Sequence, residues 1–305
     1  MKYIITTIVC FFCVSCASLD KRAEEINMVT FNMRCDAEKS QKNWTGAWSL
    51  RKILIAQMMK SHDMDIVASQ ELYASQMPEL KQMLRGEYDY VETQFVEGFD
   101  KSLIAGRNRP QADDVEIKMH NAIWYKTAKY EVLDKGSFYL SSTPEKFSFG
   151  FEPEAQCRRC VWAKFKSLEG GKTFYVFNVH ADWQKRFSRL SSAKLVLSKI
   201  QSIASNSTVF LAGDFNDETY ESADIFTSSN VLADSRKVTK APPLGALATY
   251  HLWGTRDSKN PIDRLDYIFV SPDVKVITYK VLDDSSGGVY PSDHYPILTR
   301  ALMGF

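Results

Sequence analysis

Short apolar runs that stop on charge-handling residues recur along this chain, and that recurrence limits its fold more than any other feature. Thr208-Val209-Phe210-Leu211-Ala212 is one such run, closed by Gly213-Asp214-Phe215-Asn216. Ile26 to Phe31 is closed by Asn32, and Asp65 to Gln70 delivers Glu71. Phe174 to Val179 delivers His180 and Asp182, while Arg264 to Val270 carries Asp266 just inside. Runs this short, rich in β-branched and aromatic residues, read as buried strands. The polar residues then lie at strand ends, where chain and solvent meet.

A last segment, Ser292-Asp293-His294, follows the turn-rich Gly287 to Pro291 and precedes a further candidate strand, Tyr295 to Leu298. Adjacent side chains on a regular strand face opposite ways, so a direct pair between Asp293 and His294 requires a bend there. Taken singly, a strand-end Asp or Asn is ordinarily a turn residue. Their order is more specific. Asn32, Gln70-Glu71, His180, Gly213-Asp214-Phe215-Asn216, Leu265-Asp266-Tyr267-Ile268 and Ser292-Asp293-His294 together resemble the endonuclease/exonuclease/phosphatase superfamily. That group includes pancreatic deoxyribonuclease, abasic-site endonucleases, bacterial sphingomyelinases and inositol polyphosphate 5-phosphatases. The resemblance runs from about Ile26 to the C-terminus. Trp48-Ser49-Leu50-Arg51, Phe138-Tyr139-Leu140-Ser141 and Arg158 ahead of Trp162 bring it nearest to bacterial extracytoplasmic members. It implies an α/β fold, a four-layer αββα sandwich of two mixed sheets flanked by helices, with catalytic loops along one edge.

The chain itself supports one large domain, because 305 residues with 45% hydrophobic content can enclose a substantial core. Helical stretches are expected at 49–61, 75–84 and 186–204. Residues 1–16 read as a secretory signal: Lys2 precedes an apolar stretch, Tyr3 to Val14, too short to span a bilayer. Val14-Ser15-Cys16 resembles a bacterial lipobox, with Cys16 as the lipidated residue, although Cys13 stands where Leu is usual. Residues 17–25 would be a tether and 26–305 the catalytic domain. The expected location is extracytoplasmic, in the outer membrane or periplasm of a Gram-negative bacterium, with membrane contact only through the lipid. A soluble secreted form beginning at Ala17 is the alternative.

Loss of residues 1–16 removes one basic residue and leaves 37 basic and 37 acidic. A neutral balance argues against strong sequence-independent binding to nucleic acid, which depends on Lys and Arg neutralising phosphates. A local basic cleft is still allowed, from Arg107, Arg109 or the group Lys185, Arg186 and Arg189. Solvated loop and helix charges explain the same residues. Of the six cysteines, Cys35, Cys157 and Cys160 remain in the domain. Cys157-Arg158-Arg159-Cys160 has no second pair to make a zinc site, and positions three apart on a strand face opposite ways. Buried thiols are expected, with a Cys35 link to Cys157 or Cys160 as the alternative.

By the resemblance, Glu71 anchors a divalent cation and Asn32 lies beside it, with Asp266 completing the acidic cluster. Magnesium suits such oxygen donors, with manganese as the alternative ion. The plainer role for Glu71 is a helix-start carboxylate. Asp214 positions or deprotonates the attacking water, and Asn216 holds a phosphate oxygen. His294, oriented by Asp293, stabilises developing negative charge. His180 has three readings: general acid, phosphate ligand or structural residue. In deoxyribonuclease-like relatives a carboxylate partners this histidine, but the matching position here is Met119, with Glu116 and His120 nearby, so Asp182 becomes a second candidate to orient it. Arg158, Arg186 and His251 are candidate substrate contacts. Trp44, Trp48, Tyr250 and Trp253 border the cleft or pack beneath it. Phe99 to Met119 is the expected substrate-shaping loop.

Two classes of function follow. One is a monomeric, metal-dependent phosphodiesterase or phosphatase acting on nucleic acid, a sphingomyelin-like phospholipid, or a sugar or inositol phosphate. The other is a binding lipoprotein that kept the scaffold and lost turnover. Retention of Asp214 and His294 favours the enzyme, since a pure binder has little use for a water-activating carboxylate.

Overall fold

The structure, a computed structural model, describes residues 23–36, 46–92, 107, 118–260 and 263–304. The signal, Cys16, Trp44, Arg109, Glu116 and most of the 99–119 loop lie outside the described residues.

The first sheet holds β1 (Glu24–Asn32), β2 (Ile66–Tyr73), β3 (Tyr88–Glu92) and β4 (Met119–Lys126), with β11 (Val274–Val281) and β12 (Ile297–Met303). The second holds β5 (Tyr130–Tyr139), β6 (Arg159–Ser167), β7 (Thr173–His180), β8 (Thr208–Asp214), β9 (Ala233–Asp234) and β10 (Asp266–Val270). Their orders are β11-β12-β1-β2-β4-β3 and β5-β6-β7-β8-β10-β9. Each sheet has one parallel pair at its centre, β1 with β2 and β7 with β8, and antiparallel pairs elsewhere. Helices α1 (Trp48–Ser61) and α2 (Gln76–Met83) follow β1 and β2, and α3 (Arg186–Ile203), α4 (Glu221–Thr227) and α5 (Ser235–Val238) fall in the second half.

Alternation along the strands explains the layering. Ile26 and Met28 of β1, Phe210 and Ala212 of β8, and Ile268 and Val270 of β10 share one apolar cluster between the sheets. Their neighbours face outward. Val29 and Phe31 meet Ile55, Met59 and Leu80 of α1 and α2, whereas Val209, Leu211 and Phe269 meet Val196, Ile200 and Phe226 of α3 and α4. This is the four-layer αββα arrangement. Each fully buried Ile, Val, Phe or Met side chain contributes ~1.5–3 kcal/mol, so the inter-sheet cluster and the two outer ones all stabilise the fold.

A polar tie crosses the same interface. Gln70 of β2 donates to Asn178 Oδ1 of β7 at 2.7 Å, and Asn178 Nδ2 donates to the Ser69 and Ala122 carbonyls at 2.8 and 2.9 Å. Both amides are wholly buried, so they fix the relative register of the two sheets just below the strand ends. Cys35, Cys157 and Cys160 are buried and form no disulfide among the described residues. No helix among the described residues is long and apolar enough to cross a membrane.

Candidate active site

Both central parallel pairs run out at the same edge, and register sets who meets there. Asn32 is opposite Gln70, His180 opposite Asp214, and Asp214 opposite Asp266. Two backbone irregularities then aim the side chains. The β2 to β4 pairing slips between Ser69 and Leu72, and Glu71 within that bulge has φ +70. Regular pleating would turn Glu71 away from the face that Gln70 uses; the bulge brings it to the strand ends instead. Glu71 therefore lies within β2, and α2 begins only at Gln76, which removes the helix-start role. At Gly213, φ is +151 and a Cβ would stand 2.0 Å from the Val179 carbonyl oxygen. Only glycine lets β8 pass that close to β7 and present Asp214.

The cluster is tight and buried. Asn32 Nδ2 donates to Glu71 Oε1 and to Asp214 Oδ2, each at 3.0 Å. Its Oδ1 accepts from the Arg34 backbone amide at 3.1 Å, so Asn32 braces the two carboxylates. His180 Nε2 lies 3.8 Å from both Glu71 Oε1 and Asp214 Oδ2, and His294 Nε2 lies 3.8 Å from Asp214 Oδ2. Asn216, at φ +50, donates its backbone amide to Asp214 Oδ1 at 2.9 Å and its side chain to the Ala181 carbonyl. Asn tolerates this left-handed backbone better than most residues.

His294 pairs with Asp266, not Asp293: Nδ1 meets Asp266 Oδ2 at 2.8 Å. Asp293 accepts from Ser292 Oγ at 3.2 Å and faces Arg34 Nε at 3.8 Å. Adjacency along the chain keeps Asp293 and His294 on different sides of the bend, while β10 brings Asp266 beneath the imidazole. The loop itself is anchored by Ser292 Oγ on the Asn32 carbonyl at 2.6 Å.

Three candidate substrate contacts are turned elsewhere. Arg158 is buried behind His180, donating Nη1 to His180 Nδ1 at 2.9 Å and both Nε and Nη2 to Gln156 Oε1. Arg186 is exposed and clasps Glu221. His251 is buried, stacked 3.9 Å from Tyr295, with Nδ1 accepting from the Gly254 amide. Asp182 does not orient His180 either; its carboxylate accepts from the Gln156, Gln184 and Lys185 backbone amides. Trp48 packs inside and bonds Glu79. Tyr250 does reach the site edge, 4.9 Å from the His294 ring.

Sequence reasoning missed three residues. Arg34, at φ +56, donates Nη1 to Glu71 Oε2 at 3.3 Å and so adds positive charge beside the cluster. Gln156 supports Arg158. Arg51, noted only within its motif, is buried and donates to the carbonyls of Met33, Arg34, Cys35, Gly46 and Pro291. It joins the loop after β1 to the loop before His294. The one available signal was the uninterrupted Asn32-Met33-Arg34 at a strand end.

Electrostatics separate the carboxylates. Burial works against ionising Glu71, yet Arg34, the Asn32 amide and His294 hold it below the usual carboxylate range. Burial and the neighbouring Asp266 push Asp214 up to about 7 despite His294 and Asn32. Burial opposes charge on His294 too, but Asp266 and Asp214 raise it to about 10. His180 falls well below its ordinary value through burial and Arg158. Two carboxylates driven apart in this way can take different roles, one a fixed anion and the other a proton acceptor near neutrality.

A model of the endonuclease/exonuclease/phosphatase family matches residues 29–294. The chain belongs to that family. Its members are hydrolases of phosphoester bonds, generally dependent on divalent metal, with nucleic acids among their substrates. A family protein of Bacteroides thetaiotaomicron is 30% identical, with a TM-score of 0.78 over 92% of this chain and 99% of that one. A mannosyl-6-phosphatase from the same organism is 32% identical, with a TM-score of 0.75 over 90% and 99%. The Ccr4 3'-5'-exoribonuclease subunit of the CCR4-Not complex from Neosartorya fischeri is 23% identical over 193 residues. This chain spans about a quarter of that relative's length, 24%.

The donor set fits the family's divalent cation. Glu71 is ionised, and Asp266 Oδ1 is buried with no hydrogen-bond partner among the described residues. Asp214, Asp266 and His294 also lie close enough to share an ion. With no ion bound, His294 is drawn towards its cation by the two carboxylates. His294, paired with Asp266 and facing Asp214, supplies the proton-handling groups, and Glu71 and the unpartnered Oδ1 of Asp266 are the remaining oxygen donors.

Proposed function

We propose that this protein is a magnesium-dependent phosphoesterase that hydrolyses a phosphorylated sugar outside the cytoplasm. The observation that carries the reading is the convergence of Glu71, Asn32, Asp214 and the Asp266–His294 pair, linked by contacts of 2.8 to 3.8 Å where the two sheets' central strands run out. Glu71 and Asp266 would hold the ion, with Asn32 bracing Glu71; when bound, the ion neutralises charge on the phosphoryl oxygens and leaving group. Asp214 accepts the proton of the attacking water, which its position near neutrality permits. Protonated His294 and the Asn216 region donate to phosphate oxygens as negative charge builds. Asp266 accepts from His294 Nδ1, and its charge favours the doubly protonated ring that carries a second proton on Nε2, facing Asp214.

The sugar phosphate is favoured by likeness to the mannosyl-6-phosphatase, by the neutral charge balance and by Trp183 and Phe187, both exposed in the segment that follows His180. Exposed aromatic faces suit a pyranose ring. Residues 1–16 support a lipid anchor at Cys16, which incorporation of labelled palmitate would reveal in wild type and not in Cys16→Ala. The catalytic reading is tested by phosphate release from mannose 6-phosphate, p-nitrophenyl phosphate, bis-p-nitrophenyl phosphate, sphingomyelin and single-stranded DNA, with magnesium, manganese or EDTA. Metal-dependent release from the sugar ester is expected. Turnover of the diesters alone would overturn the sugar assignment, and activity in EDTA would overturn the metal.

A further inference from the structure

Among the described residues no carboxylate meets His180 Nδ1, and what stands there is a cation. Arg158 Nη1 lies 2.9 Å from His180 Nδ1. A guanidinium only donates, so Nδ1 must accept, and an accepting Nδ1 leaves the ring proton on Nε2. Arg158 is itself held by two bonds to Gln156 Oε1, at 3.1 and 2.9 Å, and Gln156 donates its own backbone amide to Asp182 at 2.7 Å. Gln156, Arg158, His180 and Asp182 are all buried, so this arrangement is rigid rather than incidental. Nε2 points to the shared ground between Glu71 and Asp214, 3.8 Å from each.

We propose that Gln156 and Arg158 lock His180 as a neutral imidazole protonated at Nε2, so that it donates a hydrogen bond to the phosphate and never protonates the leaving oxygen. The inference rests on the phosphoesterase reading of this site. Its proton balance differs from a general-acid scheme: the attacking water gives its proton to Asp214, the phosphorus–oxygen bond breaks with its electron pair on the leaving oxygen, and that oxygen is protonated by solvent. Arg158 is thus a positioning residue, acting on the reaction through the tautomer of His180.

Two measurements test it. Nitrogen-detected NMR of the metal-free protein, with His180 assigned by comparison with His180→Gln, should show an unprotonated Nδ1 and a protonated Nε2 at neutral pH. Arg158→Lys, which can still only donate, should keep that pattern, and Arg158→Met should lose it. A protonated Nδ1 in the wild type overturns the proposal, and that spectrum is decisive even if Arg158→Met does not fold. The second measurement is the effect of His180→Gln on an aryl and an alkyl phosphate. Loss by a similar factor on both is expected. A general acid matters most for poor leaving groups, where it contributes ~100-fold or more, so an excess loss of that size on the alkyl ester overturns the proposal. The spectrum needs no turnover, which keeps failure of this inference distinct from failure of the phosphoesterase reading.

Discussion

At the residue scale, the site is a set of titratable groups sorted by their neighbours. The Asp266 carboxylate, with Asp214, holds the proton on His294. Histidine NMR titration of the metal-free protein should therefore find His294 protonated well above neutral pH; Asp266→Asn should lower its pKa far more than Asp293→Asn. Equal effects would restore Asp293 as the orienting residue. His251 behaves in the opposite sense, since burial and the nearby His294 lower it to about 4 from 6.5. Below pH 6.5 the unfolded chain takes up a proton that the fold refuses, so this residue removes stability progressively between 6.5 and about 4. Urea denaturation across that window should show a shallower acid loss in His251→Asn. His180 and Asp214 were legible in the sequence because a strand pattern determines where its last residue emerges, whereas Glu71, aimed by a bulge inside β2, was legible through the resemblance. Arg34 was not, because its role depends on a positive φ. The Asp266–His294 pair was hidden by its 28-residue separation, whereas adjacent Asp293 offered a false partner.

At the element scale, the strands carry local departures from regularity that aim the site, and buried polar ties that hold it. Gly213→Ala places a Cβ 2.0 Å from the Val179 carbonyl at φ +151, so it should cost at least ~1–3 kcal/mol and reduce activity by displacing Asp214. Asn178→Ala removes the bond from Gln70 across the sheets and takes the Asn178 donor from the Ser69 and Ala122 carbonyls, with an expected loss of ~1–3 kcal/mol in chemical denaturation. Asp234 receives a two-bond clasp from buried Arg264 at 2.8 and 2.7 Å and caps α5 through the Arg236 amide. Removing it as Asp234→Ala leaves a buried cation and should cost ~3–5 kcal/mol. The strands that carry site residues, β1, β2, β7, β8 and β10, were readable to within a few residues. β10 starts at Asp266 rather than Arg264 because the Leu265 and Asp266 amides bond Thr249 Oγ1 and the Arg264 side chain turns to Asp234. β12 starts at Ile297 because Pro296 has no amide hydrogen to donate. Neither bond is encoded within the strand itself.

At the scale of the whole molecule, two sheets each bring one parallel pair to a common edge, and the site exists only where both meet. Binding of the ion should therefore stabilise the entire fold: magnesium at about 100 times its dissociation constant adds ~2.7 kcal/mol, visible as a rise in Tm that Glu71→Gln abolishes. The architecture could be inferred from residue order and family likeness, since alternation alone does not say which strands pair. The most direct test of the account pairs magnesium calorimetry with phosphate release for wild type, Glu71→Gln and Asp214→Asn. Glu71→Gln is predicted to lose both the binding heat and turnover, and Asp214→Asn to keep the heat while turnover falls ~100-fold or more. Undiminished turnover in either variant, or magnesium binding that ignores Glu71→Gln, would contradict it.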